Sequence, residues 1–168
     1  MKLGDVRQGL GSVWESVAEG WQRLRQSAAG ALTRFRPAAK SPLPARAEVD
    51  DPSYLPSQGW SWLGGDLFED EQRLIVRLEV PGMAKEDFDL EVRDDLLVVR
   101  GEKRFERQST EGRWRILQCA YGRFERRVPL PAPVRTEAAA ATYRDGVLRI
   151  ELPKREPGRP RRFALKVQ

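Results

Sequence analysis

Ala138-Ala-Ala-Ala-Thr-Tyr-Arg-Asp-Gly-Val-Leu-Arg-Ile-Glu-Leu-Pro153 is the stretch whose reading decides the fold. Two strand-like runs, Ala138 to Tyr143 and Val147 to Leu152, flank Arg144-Asp145-Gly146, and Pro153 closes the second. An Asp-Gly pair between such runs is a hairpin signal with a physical cause, because glycine takes the positive φ that a tight hairpin turn demands. Working outward, the same period of two recurs upstream. Leu74, Val76, Leu78 and Val80 alternate with Ile75, Arg77 and Glu79 before Pro81-Gly82. Phe88, Leu90 and Val92 alternate with acids, Asp94-Asp95 turns the chain, and Leu96 to Val99 is an apolar run closed by Gly101. Phe124, Arg126, Val128 and Leu130 alternate next, among Pro129, Pro131 and Pro133. Short strands at regular spacing, joined by turns with no helical stretch between them, predict an all-β, immunoglobulin-like antiparallel β-sandwich over residues 62–153.

The flanks read differently. Residues 3–35 carry apolar side chains at helical spacings, with seven-residue columns Leu3, Leu10, Val17, Leu24, Ala31 and Trp14, Trp21, Ala28, Phe35. That periodicity predicts an amphipathic N-terminal arm over 1–36. Glycines at 4, 9, 11, 20 and 30 each cost a helix about 1 kcal/mol, so the helix is conditional on burying its stripe. The arm is too charged to span a membrane and lacks the apolar core of a secretion signal, which points to a cytoplasmic protein. Residues 37–61 form a linker rich in proline (Pro37, Pro42, Pro44, Pro52, Pro56), expected to be extended and mobile. Residues 154–168 are a polar, proline-interrupted tail ending in Phe163-Ala-Leu-Lys-Val167. Leu165 and Val167 point the same way in an extended chain. The 12 residues from Pro153 to Leu165 reach roughly 40 Å.

Charge follows these divisions. The 168 residues carry 30 basic and 25 acidic side chains, a net +5. There are 8 basic against 5 acidic groups in 1–50, 16 against 19 in 51–153, and 6 against 1 in 154–168. The sandwich is mildly acidic and the basicity belongs to the ends, which is not the basic face of a nucleic-acid-binding body. The run Lys154, Arg155, Arg159, Arg161, Arg162 reads as a solvated tail with at most non-specific phosphate contacts.

Chemistry is restricted from the outset. With no histidine, His general bases, His-containing nucleophile systems and His-ligated metals are excluded. The single cysteine, Cys119, allows no intramolecular disulfide and no Cys-rich metal cage, and reads as a buried or inert thiol. No serine sits in G-x-S-x-G and no phosphate-cradling G-x-x-x-x-G-K-[ST] is present. Acidic groups such as Asp94-Asp95 and Glu69-Asp70-Glu71 suit solvated turns. No enzyme activity and no cofactor or metal are expected.

The stretch from Gly101 to Gly122 is too long for a hairpin turn and too charged for core, with Trp114 and Ile116 embedded among eight charged residues. Loops of this length inside a compact domain are usually functional. A short strand at 113–118 within it is placed to add to a neighbour's sheet edge.

These residues resemble the α-crystallin domain of small heat-shock proteins of bacterial type. Ala141-Thr-Tyr-Arg-Asp-Gly146-Val147-Leu148 fits its A-x-x-x-x-G-V-L signature at each fixed position. Val76–Val80 with Pro81-Gly82 and Lys85-Glu-Asp-Phe88 fits its early strands. Leu97–Glu102 and Gly122–Pro131 fit the strands on either side of its long loop. The resemblance implies an ATP-independent holdase, part of the stress response, that keeps unfolding proteins from aggregating and assembles as dimers and larger homo-oligomers. It also implies that the loop strand is exchanged onto a partner's sheet, with Trp114, Ile116 and Gln118 at the dimer interface. Arg126 matches the interface arginine and shares a face with Phe124 and Val128, so its charge is expected to be paired across the dimer. The family's I-x-I/V tail motif reads Leu165-Lys166-Val167 here, and its groove maps to Leu90, Val92, Ala138 and Ala140. One such plug contributes at most about 3–6 kcal/mol before ordering costs, so assembly needs many of them. Client proteins are assigned to Val13, Trp14, Val17, Trp21, Leu24 and Phe35, whose apolar area the arm cannot bury alone. Contact of the arm with a membrane surface is an alternative use of its Trp and Arg content. A co-chaperone adaptor on the same sandwich is a further alternative, disfavoured by the long loop and the tail motif.

Overall fold

The computed structural model describes residues 30–38, 42–56, 59–107 and 111–158. Two units are distinguished, Met1–Leu32 and Thr33–Gln168, and apart from Leu32 the strand residues belong to the second. Among the described residues nine strands follow in order: β1 (Leu32–Phe35), β2 (Gly59–Trp62), β3 (Gly65–Glu69), β4 (Arg73–Glu79), β5 (Phe88–Arg93), β6 (Leu96–Lys103), β7 (Gly122–Pro129), β8 (Ala140–Arg144) and β9 (Val147–Pro153). They form a four-stranded sheet β3-β4-β9-β8, a three-stranded sheet β5-β6-β7 and the pair β1-β2. All pairings within the two larger sheets are antiparallel. The expected all-β antiparallel sandwich is what the chain builds.

The alternation does the building. In β4 the apolar set Leu74, Val76 and Leu78 is buried while Arg73, Arg77 and Glu79 are exposed. In β9 the inward set is Leu148, Ile150 and Leu152. The register places Val76 opposite Ile150 and Leu78 opposite Leu148, so both strands turn the same face inward. Leu97, Val99 and Phe124 supply the facing wall from β6 and β7, and Leu130 and Val134 fill its margin. Each such aliphatic side chain taken fully out of water contributes about 1.5–3 kcal/mol. The β8–β9 hairpin turns on Asp145 (φ 53°) and Gly146 (φ 80°), the two successive positive φ values of a type I′ turn.

Three departures from the sequence reading have physical causes. Leu32–Phe35, expected to close an amphipathic helix, is strand β1. Phe35 is 1% exposed, and its ring lies 5.1 Å from that of Phe124. Arg36 and Arg123 exchange backbone hydrogen bonds of 2.8 Å in both directions. Gly122 makes this approach possible: at φ 111°, a Cβ there would lie 2.0 Å from the Arg36 carbonyl oxygen. At Phe35, helical spacing therefore gave way to a sheet edge and an aromatic partner. The rest of the arm reading lies outside the described residues.

The linker is not a free tether over its described part. Pro44, Val49 and Tyr54 are buried, and Gly59–Trp62 is β2, so the sheet region begins before residue 62. Prolines forbid regular structure without forbidding packing. Finally, the tail is tied down over its first residues. The Lys154 N–H donates to Gln72 (2.9 Å), Arg155 N–H to Pro133 (2.9 Å) and Gly158 N–H to Glu71 (2.9 Å).

Candidate interaction surfaces

Four places on the molecule bear on the contacts with other chains expected from the sequence. The first is Arg126. Its position in β7, opposite Val99, puts it on the inward face with Phe124 and Val128. The Nε is buried and has no hydrogen-bond partner among the described residues. Burial pushes the guanidinium pKa down, the direction expected of a cation short of counter-charge. By contrast, Arg100 on the outer face of the same sheet is saturated: it bonds Glu91 (3.0 Å), Glu125 (2.9 Å) and Asp89 (3.4 Å). Hydrogen bonds from Arg93 and then Arg100 hold the Glu91 carboxyl down at about 2. Glu125 is likewise lowered, by Arg127 first and Arg100 second.

The second is the long loop. Residues 113–118 were expected to form a strand; Trp114 makes only a single parallel bridge, to Val49 of its own linker. The ring of Trp114 lies 5.3 Å from Phe105 in an edge-to-face contact, and Tyr121 meets Phe105 edge-on at 5.2 Å. Leu117, Val49 and Tyr54 complete this second core. Of the expected interface residues, Trp114 is half-buried here, Gln118 is exposed and Ile116 stands out at 67% exposure. Cys119, expected to be buried or inert, is exposed, because the chain leaves the small core after Leu117 and next buries a side chain at Ala120, in the main core.

The third is the expected tail groove, which the pairing register divides. Leu90 and Val92 lie half-buried against the main core. Ala140 pairs with Glu151, on the outer face with Thr142 and Arg149, while Ala141 and Tyr143 pair with Ile150 and Leu148 on the inward face. Ala138 ends a short 3-10 turn and is exposed. Four consecutive alanines have no periodicity, so the sequence could not tell which of them faces in. At one end Phe88 and Tyr143 join the two sheet edges with ring centroids 5.0 Å apart. The motif Leu165 and Val167, and client-binding candidates Val13, Trp14, Val17, Trp21 and Leu24, lie outside the described residues. Phe35, assigned with them, is part of the main core and offers no exposed surface.

The fourth was missed by the sequence reading. Trp60, Trp62 and Phe68 on β2 and β3 are each more than half exposed, with Leu67 beside them. The outer face of the four-stranded sheet forms a shallow concavity of about 880 Å³ lined by Leu67, Phe68, Ile75 and Val147 with Arg77 and Arg149. The alternation Trp60-Ser61-Trp62 and the pair Leu67-Phe68 were the available signals. Equally unforeseen is Lys154, 3% exposed, whose ammonium meets Glu69 at 2.6 Å and the Gly158 carbonyl at 2.9 Å.

Strands β4 to β9, the long loop and the turn motif all sit within one family model, that of the Hsp20/alpha crystallin family, which matches residues 66–167. The chain belongs to that family. Among relatives of this small heat-shock protein, Small heat shock protein C2 of Rickettsia felis is 28% identical over 101 residues, covering 60% of this chain and 66% of that one. The chain thus spans just under two thirds of that curated relative's length. The structure of Heat shock protein 16.0 from Schizosaccharomyces pombe superposes with a TM-score of 0.54 at 31% identity, over 62% of this chain and 97% of that one. That of hspA from Xanthomonas axonopodis gives 0.50 at 30% identity, over 58% and 99%. These neighbours share the α-crystallin β-sandwich. No helix among the described residues is long and apolar enough to cross a membrane.

Proposed function

We propose that this small heat-shock protein is an ATP-independent holdase that binds unfolding proteins and prevents their aggregation, working as dimers and larger homo-oligomers in the cytoplasm. The observation that carries the reading is the unspent apolar surface around a fully packed sandwich: Trp60, Trp62, Phe68 and Ile116 are each more than half exposed. Exposed aromatic surface on this scale marks contact with other chains. Two kinds of chain are its users in this reading, a second subunit and a non-native client. Client capture is shared between the arm residues Val13, Trp14, Val17, Trp21 and Leu24 and the exposed aromatics of β2 and β3; Phe35 drops out. Subunit contact engages Trp114, Ile116, Gln118 and Arg126. The orphaned Arg126 Nε supports that role, since a buried donor without a partner costs about 1–3 kcal/mol until one arrives. Leu165 and Val167 link dimers into larger assemblies by docking near Leu90 and Val92.

The test is light scattering from a heated client protein, with and without this chain and in the absence of ATP, alongside its native mass. Suppressed scattering by an oligomeric species is the expected result. A monomer that leaves aggregation unchanged overturns the reading. Arg126→Ala is expected to lower dimer mass or thermal stability, and Leu165→Ala with Val167→Ala to shift large assemblies toward dimers. An arm peptide covering 1–36 that binds liposomes would favour the membrane-surface use of that segment.

A further inference from the structure

The linker and the long loop are held together by more than the small apolar core. Backbone hydrogen bonds run both ways across the Val49–Trp114 bridge: Trp114 N–H donates to the Glu48 carbonyl (3.1 Å) and Asp50 N–H to the Trp114 carbonyl (2.8 Å). Acids lie on the linker and arginines on the loop. Glu48 pairs with Arg107 at 2.7 Å, and Asp50 pairs with Arg113 at 2.8 Å and also with Arg115. Asp51 is buried, its carboxylate accepting from the Ser53 N–H (2.9 Å), the Ser53 hydroxyl (2.6 Å) and the Leu117 N–H (3.3 Å). Three acids in four consecutive residues, 48–51, thus meet the loop at three successive points.

We infer that the linker segment Glu48–Asp51 is an intramolecular dock for the loop segment 113–117, and that it competes with a second subunit for it. The inference rests on the proposed use of this loop between subunits. Competition follows from double use of the same groups. Trp114 fills its seat against Phe105 and spends both backbone groups on the linker, and Leu117 is buried in the same cluster. A loop that carries Trp114 and Leu117 to a partner's sheet leaves these seats empty. The dock therefore stabilises the separated subunit, covers apolar side chains that the interface would otherwise leave in water, and sets a threshold for assembly. Its ion pairs are half-exposed, so salt weakens the dock more than it weakens the apolar sheet contacts.

The test uses the full chain and the variant Asp50→Asn, which removes the carboxylate held by Arg113 and Arg115 and lies outside both cores. Native mass is followed over a dilution series, and amide exchange is read at Trp114 in the most dilute sample. Asp50→Asn is expected to lower the concentration at half-assembly by about two- to tenfold, the loss of two half-exposed ion pairs. The Trp114 amide is expected to be protected in the dilute wild type and to lose protection in the variant. A midpoint that stays put or rises in Asp50→Asn overturns the dock while leaving the chaperone reading intact, which client scattering tests separately. A wild type that remains monomeric at every concentration contradicts the assembly reading and removes the competition with it.

Discussion

The sandwich and the linker–loop cluster both bury apolar side chains, yet they are built on different principles. In the sandwich, neighbouring strands repeat one pattern, and Leu74, Val76 and Leu78 meet Leu152, Ile150 and Leu148 along a continuous ladder. In the cluster, four buried residues from segments more than fifty positions apart, Val49, Tyr54, Phe105 and Leu117, meet across a single bridge, an Asp51 carboxylate and a few arginines. The first shares its contacts among many strands and so opens as a whole. The second has few apolar contacts and surface ion pairs, the properties of a unit that opens locally.

Substitutions probe this contrast in descending order of effect. Phe35→Ala asks whether the first described strand belongs to the sandwich. Emptying a buried site against Phe124 is expected to cost about 3–5 kcal/mol in chemical denaturation of the full chain, and a loss below about 1 kcal/mol would return Phe35 to a free arm. Lys154→Met asks whether the base of the tail is part of the same body. Leaving Glu69 without its partner is expected to cost about 2–3 kcal/mol, less than a fully enclosed pair because Glu69 retains some access to water. Adding Glu69→Gln is expected to recover most of that loss, and a double variant no better than the single would show that the pair is not the cause.

Within the cluster, Tyr54→Phe removes the hydroxyl that donates to the Pro44 carbonyl at 2.7 Å. A loss of about 1 kcal/mol is expected, read as faster amide exchange at Leu117 with little change in the melting of the sandwich. An equal change in both would merge the two regions. The smallest effect concerns acid. Glu91 has its folded pKa depressed, so its contribution is fully present above the ordinary value of 4.5 and is lost as pH falls toward about 2. Glu91→Gln is expected to lower stability modestly at neutral pH, where the charge is fully paired, and to flatten the stability–pH curve between about 4.5 and about 2. A slope equal to that of the wild type there would remove the Arg93 and Arg100 bonds from the explanation.

What was legible in the sequence follows the same divide. The sandwich could be read because a period of two exposes its own register, as in Leu74 to Val80, and because Asp145-Gly146 states its turn. The interior placement of Arg126 was legible by the same alternation. The cluster was not, since its partners are distant in sequence and nothing in Pro42–Pro56 marks Val49 or Tyr54 as anchors. Asp51 could have been suspected from Asp-x-Ser, whose carboxylate turns back onto the Ser53 amide. Phe35 misled because helical spacing to Ala28 and Ala31 carries no information about Gly122, whose missing side chain admits the first strand. The alanine run at 138–141 left the groove ambiguous for want of any pattern.

The most direct measurement of this two-part design is amide hydrogen exchange across the intact chain, comparing Val80, bonded to Gly146 within the sandwich, with Trp114 and Asp50 at the linker–loop bridge. The predicted result is exchange at Trp114 and Asp50 at least about tenfold faster than at Val80, through an opening that leaves the sandwich closed. Equal rates at all three, rising together with global unfolding, would contradict it and make linker, loop and sandwich one cooperative body.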